Sequence, residues 1–308
     1  MNNFNLLLQT STLALIKNLF PFIALFFLTP LISFAEKVPE WGVLRVCADP
    51  NSMPLSNIKQ EGFENRVAEL FAKDLGWQLE YEWFPQRLAF FRNTIRSKDS
   101  SKPSGYKCDI AMGASPDPEG ATATKAYYTS TWVVVLPDSD EFKDVNSSDD
   151  LIKLNKNILK KLKFGVFARS PGADWVVKNS LTEQMVPFVH MQSDPNDYPG
   201  MIIEKNIADG EIDIAFAWGP IASYSASKVK NRKLKLVPLI APRSSRTDYS
   251  ISMAVRYREP IWKGMVESFL DRKKEDIQEI ITQFNIPQVL ADGSVLIGNK
   301  KFVRSPIQ

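Results

Sequence analysis

Short β-branched and aromatic runs alternate with longer amphipathic stretches along this chain, and that alternation constrains the fold more than any other feature. The hydrophobic period switches from near two to near 3.6 and back, the pattern of an α/β protein with parallel strands rather than of a sandwich or a bundle. A strand is predicted over 43–48, followed by the turn-rich Asp49-Pro50-Asn51-Ser52-Met53-Pro54. A helix over 63–75 then carries Phe63, Val67, Leu70, Phe71 and Leu75 on one face and stops at Gly76. A strand over 78–83, a helix over 86–95, a surface loop from Ser97 to Lys107 and a strand over 109–113 complete a βαβαβ half.

The texture changes at 127–136, a long β-branched run suited to leaving one sheet for another. A second α/β set follows: strand 164–167, helix 172–180, strand 185–190, helix 198–208 and strand 212–216. The chain returns through a β run at 248–255 and ends with helices near 260–270 and 273–284. The economical reading is two α/β lobes, each a mostly parallel sheet flanked by helices, joined by two crossing strands. Residues 36–131 plus 250–308 are assigned to lobe 1 and 132–249 to lobe 2. In such architectures a ligand sits in the crevice near the carboxyl ends of the strands.

Composition narrows the chemistry. A formal charge of +3 over 308 residues is too small for a nucleic-acid-binding surface. One His and two Cys leave few ligands for zinc, haem or an iron–sulfur cluster, so no metal or cofactor is expected. A Ser-His-Asp or Cys-His enzyme would have to rest on His190, which ends an apolar strand and reads as a packed residue. Binding, not catalysis, is the expectation. The lysines at 153, 156, 160, 161 and 163 read as a solvated face. Asp194-Pro195-Asn196-Asp197 lacks the glycine and the twelfth-position glutamate of a calcium loop.

Residues 1–35 carry a single charge, Lys17, then an apolar run over 19–28 and the small-residue ending Ser33-Phe34-Ala35. This is the layout of a secretory signal peptide cleaved after Ala35, and the run, broken by Pro21 and Pro30, is short for a membrane span. The mature protein is therefore expected in the periplasm, without stable membrane insertion. Its charge is nearly balanced, with 37 basic groups against 35 acidic once Lys17 is removed. An oxidising compartment favours a Cys47–Cys108 disulfide if their strands are neighbours; two buried thiols are the alternative.

The segments "LRVCADPNSMPLSN", "GFENRVAELFAKDLG", "CDIAMG", "YYTSTWVVV", "KFGVFARSPGADW" and "GEIDIAFAWGP" follow one another as in family 3 extracellular solute-binding proteins, which the chain resembles over 43–290. "LRVCADP", "GFENRVAEL", "WFPQR", "RNT" and "YYTSTWV" resemble more narrowly the subgroup associated with quinoprotein alcohol dehydrogenases, the J-type proteins of methanol oxidation clusters. The resemblance implies the type II periplasmic binding protein fold. It also implies a non-enzymatic accessory in activation or assembly of a quinoprotein alcohol dehydrogenase such as methanol dehydrogenase. The partner would be that dehydrogenase or its cytochrome c. The second reading is the receptor of an ABC importer, handing a small non-amino-acid solute to a permease.

Amino-acid binders of the family carry an Arg after the strand matching 110–113, for the ligand carboxylate, and an Asp after that matching 212–216, for its ammonium. Here the first stretch reads Ala114-Ser115-Pro116-Asp117-Pro118-Glu119-Gly120, and Trp218 stands in place of the acid. A buried carboxylate without its guanidinium costs several kcal/mol. A standard amino-acid ligand is therefore not expected; Lys125 or Arg87 are the candidate substitutes. The crevice is expected to be lined by Asp49, Asn51, Trp83, Arg87 and Met112 from one lobe. From the other come Arg169 and Ser170, at a helix start that could hold an anion, and Trp218. Glu64 reads as a helix-terminus stabiliser. A protonatable Asp49–Lys125 pair is the enzyme alternative.

Overall fold

In the computed structural model, residues 38–189, 194, 196–240 and 245–304 are described. The leader, His190 and Pro195 of the calcium-like run lie outside them. The α/β reading holds. β1 (Val43–Ala48) pairs in parallel with β2 (Gln78–Trp83) over six positions and with β3 (Ile110–Ala114), as consecutive βαβ strands do. Between β1 and β2, α1 (Phe63–Leu75) buries Phe63, Val67, Ala68, Phe71 and Ala72, and Gly76 closes it at φ 69° with its N–H on the carbonyls of Ala72 and Lys73.

β4 (Thr122–Pro137) is the member that ties the molecule together. Its residues 122–131 run antiparallel to β9 (Asp248–Val255), which in turn pairs with β3. Its remaining residues pair with β7 (Ile214–Trp218) and β8 (Leu234–Pro238), and β7 continues in parallel to β5 (Phe164–Phe167) and β6 (Met185–Phe188). The main sheet thus reads β2-β1-β3-β9-β4-β7-β5-β6, with β8 also on β4. Sixteen residues in one strand let the same segment serve two sheet regions.

Three apolar clusters fill the structure on either side of that strand. One gathers Val46, Phe63, Phe71, Trp262 and Phe269 from β1, α1 and α4 (Pro260–Arg272). Two others flank β4's second half, around Val134, Phe164, Trp175 and Phe216 and around Val135, Ile203 and Ala215. The segment 288–302 packs Val295 and Phe302 into the cluster around Val134.

A fourth, smaller cluster surrounds Cys47 and Cys108, which form a disulfide with Cα atoms 5.5 Å apart. Beside it Arg256 donates to the Cys108 carbonyl (2.6 Å) and to Glu259 (2.6 Å), and lies 3.4 Å from buried Asp109.

Two predicted helices differ. The helix expected over 86–95 is a single turn, Phe90–Asn93, because the Arg87 N–H bonds the Pro85 carbonyl in a tight turn and Ala89 takes φ 62°. The helix over 198–208 narrows to a π-type segment, Ile202–Ile207. Among the described residues no helix is long and apolar enough to cross a membrane.

Candidate functional site

A cavity of about 300 Å³ opens where the two sheet regions meet. One wall comes from the loops and helix start after β1, β2 and β3: Ser52, Leu55, Glu64, Gln86 and Gly113 through Ser115. The opposite wall carries Phe167 from the end of β5, Ala217 and Trp218 from the end of β7, and Ile221 in α3 (Gly219–Lys228). Between them, Tyr128 and Trp132 of β4 and Tyr249 and Ile251 of β9 form the floor. Strand carboxyl ends thus point at the cavity from both sides, where a ligand site is expected in open α/β sheets.

The aromatic floor follows from register. Trp132 of β4 lies opposite Trp218 of β7, and Tyr249 of β9 pairs with Ser130, two residues before Trp132. Trp218 and Tyr249 meet edge to face at 5.7 Å and 81°.

Of the residues expected here, Trp218 lines this cavity. Asp49 stands behind its wall and is fully engaged: its carboxylate accepts from the backbone of Asn51 (2.8 Å) and Gln86 (2.7 Å), and Arg87 lies at 3.9 Å. Asn51 is held beside Asn57 in a two-residue ladder. Trp83 stacks on Tyr81 at 4.5 Å, and Met112 is core. Arg87 faces a neighbouring recess, where its guanidinium donates to the Asp197 carbonyl (2.5 Å) and so links 36–131 to 132–249. Arg169 is exposed at φ 60°, and Ser170 caps α2 (Pro171–Lys178) by accepting from the Ala173 N–H (3.3 Å). Lys125 pairs with Asp271 on α4, so neither the substitute clamp nor an Asp49–Lys125 pair forms.

Glu64 is the residue that sequence reasoning misplaced. It is 3% exposed, it lines the cavity, and its Oε1 has no hydrogen-bond partner among the described residues. Burial, and after it the negative charge of Asp49, pushes its pKa from 4.5 up to about 8, against the lowering effect of the Tyr127 hydroxyl. The carboxyl rests over Gly113, where an added Cβ would lie 2.5 Å from Oε1, beside Gln86, whose amide bonds the Gly113 carbonyl. A signal was present: Glu64, Ala68 and Ala72 share one helix row of spacing four, and two small apolar residues in a row mark a packed face.

No family model matches the chain. Protein MoxJ of Methylorubrum extorquens is 24% identical over 266 residues, which cover 81% of this chain and 82% of that protein. Protein MoxJ of Paracoccus denitrificans is 25% identical over 263 residues, covering 79% and 88%. The crystal structure of the periplasmic binding protein XoxJ from Methylobacterium extorquens AM1 superposes with a TM-score of 0.62 at 27% identity, over 80% of this chain and 99% of that one. These matches make the chain similar to the MoxJ and XoxJ group of periplasmic binding proteins. Its fold is the type II periplasmic binding protein fold. In this MoxJ-like chain, among the described residues, no basic side chain lines the cavity, and Glu64 is its one charged or chargeable carboxyl.

Proposed function

We propose that the chain is an exported, periplasmic and non-enzymatic accessory of a quinoprotein alcohol dehydrogenase such as methanol dehydrogenase, acting in its activation or assembly. The observation that carries this reading is similarity over four-fifths of the chain to proteins named MoxJ and XoxJ, joined to a cleft without the amino-acid clamp. Two lobes, divided near Thr131–Trp132 and near Tyr249–Ser250, would rock about β4 and β9. Closure on a small ligand or on a segment of the dehydrogenase would change the surface offered to the partner. The Arg87 contact to the Asp197 carbonyl would be made or broken in that motion.

Affinity capture from native periplasm, with the exported protein as bait, tests the reading. A retained quinoprotein dehydrogenase, or its cytochrome c together with it, is the expected outcome. Capture of an ABC permease without a dehydrogenase would replace the accessory with an importer receptor.

A further inference from the structure

The cavity combines three observations that belong to one kind of ligand. Trp132, Trp218 and Tyr249 line it, and the Arg246 guanidinium lies over the Tyr249 ring, 5.1 Å from its centroid, which leaves the two indoles as the aromatic surface free of a cation. Among the described residues no Arg, Lys or His lines it, so an anionic group entering it would have no basic side chain of the lining to pair with. A carboxyl that is 97% withdrawn from solvent, with one oxygen unpartnered, sits at the opposite wall. Aromatic faces attract cations through their quadrupole, and a single carboxylate beside them completes the recognition of a positively charged nitrogen.

We propose that this cavity takes a small alkylated ammonium ion, its nitrogen against Glu64 and its alkyl groups among Trp132, Trp218 and Tyr249. The inference rests on the reading of the cleft as a ligand site and adds the class of ligand. It does not depend on the dehydrogenase. Asp49, which could compete for the cation, is already held by the Asn51 and Gln86 backbone and by Arg87.

Binding is coupled to a proton. The groups that act on Glu64 are Asp49, with Arg87 behind it, and the hydroxyls of Tyr81, Tyr127 and Tyr128, all of which stay neutral because burial first and Glu64 among their neighbours push them above the ordinary tyrosine range. The neutral carboxyl predominates at pH 7, so the arriving cation must displace one proton, which leaves to buffer as the carboxylate forms. Affinity therefore rises as pH approaches and passes the carboxyl's own titration, by on the order of tenfold between pH 7 and pH 9.

The test compares choline with 3,3-dimethylbutan-1-ol, its uncharged isostere, by calorimetry and tryptophan fluorescence on the full exported protein at pH 7 and pH 9. Choline is expected to bind more tightly at pH 9 by about tenfold, with about one proton released per site at pH 7 and almost none at pH 9, read in buffers of different ionisation enthalpy. The alcohol should bind more weakly at pH 9 and not follow this trend. Glu64→Gln, which mimics the neutral carboxyl and so should fold, is expected to lower choline affinity at pH 9 by at least about tenfold and spare the alcohol. Equal or tighter binding of the alcohol at pH 9 would overturn the cation and leave the cleft as a site for neutral solutes. No binding of either probe would overturn both the cation and the cleft as a small-ligand site, and would leave capture of the dehydrogenase unaffected.

Discussion

On one side of the cavity a helix begins at Gly62-Phe63-Glu64; on the other a helix begins at Trp218-Gly219-Pro220. Helix starts commonly offer free N–H groups to anions, yet both of these are closed, by different means. At α1 the N–H groups of Phe63 and Glu64 are taken by the carbonyls of Pro54 and Leu55 (2.8 and 3.0 Å). That close approach requires Gly62, where a Cβ would fall 2.0 Å from the Leu55 oxygen. At α3 Pro220 contributes no N–H to the first turn, and Gly219 is pressed against the Thr131 carbonyl, which would lie 2.5 Å from an added Cβ.

The walls also differ by their side chains: a carboxyl with Ser52 and Gln86 on one side, Trp218 and Ile221 on the other. The asymmetry fixes the orientation of an amphipathic ligand. Its polar end must face α1.

The polar wall hangs on the disulfide. Cys47 precedes Ala48 and Asp49, and Cys108 precedes β3, whose Gly113 lies under Glu64. Closing a loop of 61 residues in the unfolded chain is worth about 4 kcal/mol. Replacing both cysteines with Ala should therefore lower unfolding stability by about that amount, measured by denaturant titration. Hydrogen exchange should quicken first in 43–48 and 110–114, while 214–218 of the apolar wall keeps its protection. Equal loss in both regions would show that the walls are not stabilised separately.

Much of the scaffold was legible, because parallel βαβ units announce themselves by local periodicity and the caps by single residues such as Gly76. The strand expected over 212–216 begins two residues later because the Asp213 and Ile214 N–H groups both turn to the Lys163 carbonyl. The disulfide, left open against two buried thiols, forms because β1 and β3 pair with Val46 opposite Ile110. The cavity was less legible. Trp132 and Tyr249 reach it through pairings of β4 with β7 and β9 across more than 80 residues of sequence, and no local period records such a register. Asp49 looked like a binding group because its loop position is right, but its lone pairs are spent on backbone N–H groups brought in from Asn51 and Gln86.

Glu64 makes the stability of its wall depend on pH. Its carboxyl ionises at 4.5 ordinarily and at about 8 when buried here, so between those values the folded state holds a proton that the unfolded chain has released. Stability from this group is greatest at low pH, declines as pH rises from 4.5 to 8, and is flat above. The fall from pH 5 to pH 8 is about 3 kcal/mol. Glu64→Gln cannot ionise and should abolish that slope, becoming more stable than the wild type near pH 8. The check is chemical denaturation of both proteins across the range. A slope unchanged by the substitution would place the unpaired carboxyl in water rather than in the wall.

The smallest effect is expected on the apolar side, at Arg169. The sequence makes it a candidate anion ligand, ahead of a helix start. Ser170 caps that helix, and Gly172 is seated against Phe216, where a Cβ would come within 2.3 Å, so the helix start is buried against β7 rather than open. The guanidinium points into solvent. Arg169→Ala keeps the same left-handed backbone strain and removes only an exposed side chain, so stability should change by less than about 0.5 kcal/mol. Binding of choline should not change either. A loss of affinity with unchanged stability would bring a positive group into the cleft and reverse the charge assigned to its ligand.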